Sequence, residues 1–363
     1  MMQLCKAISC LALAIPAIAS GQVQLQRMSA AELASGVAGA GVVYTLRTTV
    51  TGSLTLELLT GDGDVVRRLA KPDAQAGSHE LIWDGKDERG QPVPDEAYCA
   101  RAALQTAGGR VEDDPCKRTG GEVLSDIKPG ISPNGDIAYT LERPARVLVR
   151  VGVKNGAMMR SLSVWKPRPA GRNLQRWNGF DEGGQIDLRT DRLALLVTAF
   201  RLPDFSVITT GQGSLEYRAW RIAQGWPEWP DAPVVGDKTS PLERDGVRIA
   251  RQHYMARYKD REPRITVGMV DTAGKPLDPN AKAPEMVRLS VDLHPQDRWL
   301  MQEQLYEVAF FVDGDFVSEE ENGYVPIGWL WDTSHLKPGH HLLTVNLTGF
   351  TGRVGTHTIV VQK

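Results

Sequence analysis

The chain has 363 residues, with 42 Lys and Arg against 44 Asp and Glu, a formal net charge of −2. That balance excludes the strongly basic surface that nucleic acid requires, and the polybasic patch of a membrane-surface protein. With 42% apolar and 24% charged residues the composition is that of a globular protein, and the length allows two or three domains.

Residues 1–20 read as a cleaved secretory signal peptide. Lys6 precedes an apolar run from Ala7 to Ile15, and Ala17-Ile18-Ala19 is a small-x-small cleavage pattern. The run is too short to span a bilayer, and no later segment predicts a membrane span. Too few apolar residues precede Cys10 for a lipidated cysteine. Export leaves Cys99 and Cys116 in an oxidising compartment, 17 residues apart. That spacing fits neither CxxC redox chemistry nor a zinc motif, so a disulfide is expected. Closing such a loop is worth about 3 kcal/mol.

The chain contains a repeat. Ala76-Gly77, Trp83-Asp84-Gly85, Asp87-Glu88 and Gly90-Gln91 recur as Ala170-Gly171, Trp177-Asn178-Gly179, Asp181-Glu182 and Gly184-Gln185, at an offset of 94. Upstream, Leu54, Leu56 and Leu58 match Val147, Val149 and Val151, and Tyr44-Thr45-Leu46 matches Tyr139-Thr140-Leu141. Alternation with period 2 marks half-buried strands. The runs Thr60–Asp64 and Lys154–Gly156 mark hairpin turns, because Asp, Asn and Gly tolerate positive φ. Short strands with frequent turns predict a β-sandwich in each copy.

The run of alternating strand, Gly turn, Val66-Arg67-Arg68-Leu69 and the Trp83 turn resembles the immunoglobulin-like domain of the flagellar hook-capping protein FlgD. Modules of that kind recur in exported bacterial surface proteins. The first copy departs from the pattern at Asp95-Glu96-Ala97-Tyr98, where the family usually has Gly before Tyr, and the second at Asn178. The segment Ile131–Asp136 resembles the opening strand of such modules. The resemblance covers roughly residues 40–210 and implies a fold rather than an activity. From Pro263 the alternation resumes. Trp329–Thr333 and Leu336–Leu347 resemble bacterial immunoglobulin-like modules appended to exported proteins.

Residues 211–262 lack strand alternation and are rich in Trp, Tyr, Arg and Pro. Val247, Ala250, Tyr254 and Tyr258 fall at helical spacing, though Gly246 weakens a helix start. The simpler expectation is packing on the second or third sandwich. The sharper one is presentation to a partner through Trp226, Trp229, Tyr254 and Arg257, which are anchor types at interfaces. Arg with aromatics also suits an acidic glycan.

Catalytic patterns are missing. No Gly-x-Ser-x-Gly occurs, and His340-His341 sit on adjacent strand positions that face opposite ways. Asp62-Gly63-Asp64 lacks the further ligands of a calcium loop. Asp313-Gly314-Asp315 with Glu319, Glu320 and Glu321 is a denser acidic patch with a solvated loop as its default. Trp83 and Trp177 precede Gly turns and are expected to plug cores.

The sequence therefore predicts an all-β protein of three immunoglobulin-like β-sandwich domains in tandem after a signal peptide. The boundaries are 1–20 for the signal, 21–120, 121–210, a connector at 211–262, and 263–363. The expected role is a non-enzymatic exported subunit, periplasmic or at the cell surface, docking to another exported protein or surface assembly. A carbohydrate-binding role is the alternative. No cofactor, metal or catalytic residue is expected.

Overall fold

The computed structural model describes residues 22–229, 241–278, 281–301, 306–349 and 351–363; the signal peptide reading at 1–20 lies outside them. Among the described residues the α-helices are Pro115–Arg118 and Tyr217–Ala223, and nearly all other regular structure is strand. The chain is all-β, as the alternation requires.

Three pairs of sheets enclose three cores. In the first, Val42–Thr48 lies between Val23–Met28 and Gly77–Trp83. Facing it, Ala97–Thr106 and Val65–Ala74 flank Gly52–Leu59. Val42, Tyr44 and Leu46 of one sheet meet Leu54, Leu56 and Leu58 of the other, because every second side chain of a strand points to the same face. The second pair sets Gly130–Ile131, Ile137–Leu141 and Gly171–Gln175 against Met158–Arg168, Ala145–Val153, Leu193–Arg201 and Val123–Leu124. The third sets Ile265–Val270, Met286–Leu293 and Ile327–Asp332 against a four-stranded sheet in the order Asp315–Gly323, Tyr306–Val312, His340–Thr348, Val354–Gln362.

The two Trp turns are built alike. The indole N–H of Trp83 donates to the Lys86 carbonyl at 2.9 Å, and that of Trp177 to the Phe180 carbonyl at 3.0 Å. Asp87 accepts from the N–H groups of Arg89 and Gln91, and Asp181 from those of Gln185 and Ile186. The Asp of the pair common to both copies is thus structural, its carboxylate satisfying the backbone of its own turn, while Glu88 accepts from the Arg68 N–H and Glu182 pairs with Arg160. Cys99 and Cys116 form a disulfide that ties the strand Ala97–Thr106 to the short helix Pro115–Arg118.

The units do not sit as beads on a string. Val207–Thr210 leaves the second sandwich and joins the first, antiparallel to Ala97–Thr106 and parallel to Glu32–Ala34. Ala309 and Phe311, from the third sandwich, belong to the core of the second. There the Asn346 side chain takes the place of a neighbouring strand. Its Oδ1 accepts from the Met158 N–H at 2.9 Å and its Nδ2 donates to the Met158 carbonyl at 2.8 Å. The hairpin tip at Gly156 packs directly on the backbone of Gly314.

The connector differs from its sequence reading in two ways. It packs chiefly on the first sandwich: Tyr217, Trp220, Ala256 and Tyr258 are part of the first core. The helical spacing over Val247–Tyr258 does not form a helix either. Leu242–Arg244 and Val247–Ile249 make a hairpin about Asp245-Gly246, both at positive φ, and two 3-10 turns follow. Asp-Gly is a favoured two-residue hairpin turn, and it overrides a weak helical pattern. The helix lies earlier, at Tyr217–Ala223, where the Glu216 carboxylate caps the N–H groups of Arg218 and Ala219.

Candidate interaction site

The connector is held by buried charge. The hairpin tip Asp62-Gly63-Asp64 of the first sandwich points into it, with Gly63 at φ 88° to close the turn. Arg221, on the helix, reaches Asp64 at 2.8 Å and Asp62 at 3.4 Å. The Tyr217 hydroxyl donates to Asp62 at 2.8 Å, and the Arg257 N–H donates to the same carboxylate at 2.5 Å. Behind them Arg146, from the second sandwich, pairs with Glu96 of the first at 2.8 Å and lies 3.9 Å from Asp260. Gly61 sits where any side chain would collide with Arg257 and Arg146. First sandwich, second sandwich and connector thus share one ionic cluster.

Burial shapes its protonation. It pushes the Asp62 carboxyl up, against the opposing pull of Tyr217, Arg257 and Arg221. It pushes Asp260 up to about 7, although Arg257 and Arg146 draw it down. It lowers the Arg257 guanidinium. Close by, burial and then the Arg257 charge bring His253 down to about 4, so its ring is neutral at physiological pH. Breaking one partner of such a cluster leaves an uncompensated buried charge, at a cost of about 3–5 kcal/mol.

The four residues singled out from the connector separate into two pairs. Trp229 and Tyr254 are exposed, at 54% and 43%. Trp226 stands edge-on to Trp220 at 5.1 Å and packs half-buried against the first core. Arg257 needs correction as a contact residue. It is 4% exposed, and its guanidinium is spent on the Gln252 and Met255 carbonyls and on Asp260 at 3.2 Å. Of the cluster partners, Arg221 and Arg146 were not singled out from the sequence, Asp62 was weighed there only as a calcium ligand, and Glu96 only as part of a departure from the family pattern. The one signal was the acid pair at a hairpin tip, two residues apart, which takes arginines here.

The other candidates have structural partners. His341 sits between Asp313 at 2.7 Å and the Lys337 carbonyl at 2.8 Å, and the Asp313 carboxylate raises its pKa. Asp315 pairs with Arg192 of the second sandwich. Among the described residues no group of three or more His, Cys, Asp or Glu is placed to hold a metal, and no helix is long and apolar enough to cross a membrane.

Residues 30–108 match the family model of the FlgD Ig-like domain. The match covers the first sandwich and well under half of the chain. Among solved structures, FlgD from Xanthomonas campestris, described as a hook-capping protein of flagellar assembly, is 19% identical over 33% of this chain and 81% of its own, with a TM-score of 0.20. FlgD from P. aeruginosa is 17% identical over 42% of this chain and 97% of its own, again at 0.20. The fibronectin(III)-like modules of Clostridium thermocellum CbhA are 9% identical over 94% and 93%, also at 0.20. No curated protein matches the chain.

Proposed function

We propose that the protein is a non-enzymatic exported subunit that works by docking to another exported protein, in the periplasm or at the cell surface. The observation that carries this reading is the FlgD Ig-like domain at residues 30–108, a module whose free surfaces are sheet edges and end loops. The connector, in this reading, has two jobs. Its buried half, Arg221, Tyr217 and Arg257, fastens the modules together, and its exposed half, Trp229 and Tyr254, faces the partner. The proposed modules are 21–120, 121–210 and 263–363, with residues 207–210 borrowed by the first as a strand.

Two measurements test it. Mass spectrometry of the protein purified from its native host should find a chain lacking residues 1–20; an intact N-terminus in a cytosolic fraction would sink the export claim. Crosslinking in native envelope and medium fractions should capture one defined exported protein. Changing Trp229 and Tyr254 together to Ala should abolish that capture while circular dichroism stays unchanged. Equal capture by this variant removes the connector from the docking role.

A further inference from the structure

We propose that copies of this chain join head to tail. The acidic edge strand Asp315–Gly323 of one copy pairs with the middle, residues 356–360, of the edge strand Val354–Gln362 of the next, inside the groove between the second and third sandwiches. This deepens the assembly reading above and rests on it.

The argument starts from the sheet. Its order puts Asp315–Gly323 at one edge and Val354–Gln362 at the other, and every internal pairing is antiparallel. Four strands that alternate in direction have edge strands of opposite direction. A second copy displaced along the sheet therefore meets the first edge-on in antiparallel register, with no rotation needed beyond the sheet's own twist. A contact between two different edges is heterologous and propagates.

The receiving edge is recessed. Both its ends are covered, near Gly355 by Pro263 and Ile265 and at Gln362 by the parallel bridge to Lys282, where the Gln362 carbonyl accepts from the Ala283 N–H at 2.8 Å. From Thr356 to Val360 it lines a groove of about 1290 Å³ whose opposite wall is the strand Met158–Arg168. Its two walls meet where the Thr356 hydroxyl donates to the Met158 carbonyl at 2.9 Å, and the recess beyond that point shields the edge from flat partners.

Charge chooses the occupant. Glu319, Glu320 and Glu321 are exposed on the donor edge, and among the described residues no cation pairs with them. In the groove wall Lys166 and Arg168 have no acidic partner among the described residues; Arg168 donates to the Pro167 carbonyl and to Gln175. The groove's acids are already occupied. Glu262 is held by Arg150 at 2.5 Å and by the Val354 N–H at 2.8 Å, Asp181 by its own turn, Asp260 by Arg257 at 3.2 Å and the more exposed Glu182 by Arg160 at 3.7 Å. Three consecutive carboxylates also bar pairing of the donor edge with itself, which leaves the unlike edge as its mate. Exposed Phe316 on the donor and Val360 on the receiver add apolar area.

Analytical ultracentrifugation of the full chain over a concentration series tests this. The wild type should self-associate, and salt should weaken the association. Glu319→Lys, Glu320→Lys and Glu321→Lys together, or Lys166→Glu with Arg168→Glu, should each weaken it at least tenfold, with folding unchanged by circular dichroism. All five changes in one chain should restore it, because the charges are then exchanged. A wild type that is monomeric at every concentration overturns the proposal. So does association that only one side's variant alters, or that the five-fold variant fails to regain. If the wild type stays monomeric but captures a different protein through Lys166 and Arg168, self-pairing falls while the docking reading stands.

Discussion

The first and second sandwiches carry the same Trp turn, yet they finish their cores differently. Trp83 is fully buried and stands edge-on to Tyr98 at 5.4 Å, inside a core that takes in Tyr217, Trp220, Ala256 and Tyr258 from the connector. Trp177 keeps 9% of its surface exposed, and its core is extended by Ala309 and Phe311 of the third sandwich. Only the first has a disulfide. The indole-to-carbonyl bond and the Asp-capped turn are thus reproduced in both copies, while the burial that stabilises them comes from different neighbours. The repeat specifies turns, and the surroundings specify stability.

The sharpest way to break this symmetry is at the indoles. Trp83→Ala should cost about 3–5 kcal/mol and Trp177→Ala the low end of that range, read as the shift in urea midpoint. Equal losses would mean that the connector adds nothing to the first core. Next comes the disulfide. Reduction should remove about 3 kcal/mol, and hydrogen exchange should place the loss in residues 97–118 while the Trp177 turn keeps its protection.

The pH response follows from the charged cluster. His253 has its pKa lowered to about 4, so its stabilising contribution is complete above about 6.5 and is lost as pH falls through about 4. Asp260 has its pKa raised to about 7, so its contribution is complete below about 4 and is lost as pH rises through about 7. The slopes oppose each other, so the wild-type profile across that window should be shallower than either group alone would give, with the raised Asp62 adding to the Asp260 side. His253→Phe should make stability fall with rising pH, and Asp260→Asn should make it rise, each by up to about 3 kcal/mol. Urea melts at several pH values between these limits check both signs, and parallel curves for all three proteins would refute them. The smallest effect is at the join of second and third sandwiches. Gly156→Ala places a methyl group against the Gly314 carbonyl and should cost about 1–3 kcal/mol. In calorimetry it should split the third sandwich from the rest as a separate transition.

Much of the fold is legible in the amino-acid order because its causes are local. Leu54, Leu56 and Leu58 alternate, Asp62, Asn155 and the glycines supply turns, and Trp83 and Trp177 announce themselves by repetition. The pairing of Cys99 with Cys116 is expected from the signal-like N-terminus and from the even number of cysteines beyond it. The connector was not legible, for a physical reason. Its order comes from contacts with residues nearly 200 positions away, such as the Arg257 N–H on Asp62. No periodicity records a contact of that kind. Arg257 looked like a surface anchor because Arg usually is one, and the carbonyls of Gln252 and Met255 together with Asp260 make its burial tolerable. Among the described residues Trp229 and Tyr254 stay exposed, as the reading of them as partner-facing requires.

The place of Ala256 and Tyr258 in the first core also sets a timetable. A chain that emerges from its N-terminus presents residues 22–110 long before it presents residue 258. Until then the Asp62 tip has no arginine, the face awaiting Tyr217 and Tyr258 stays wet, and Val207–Thr210 has not arrived to pair with Ala97 and Tyr98. The earliest-made unit is therefore among the last to be completed. Its half-finished surface is the stretch most in need of a holding chaperone while the rest of the chain is still being delivered.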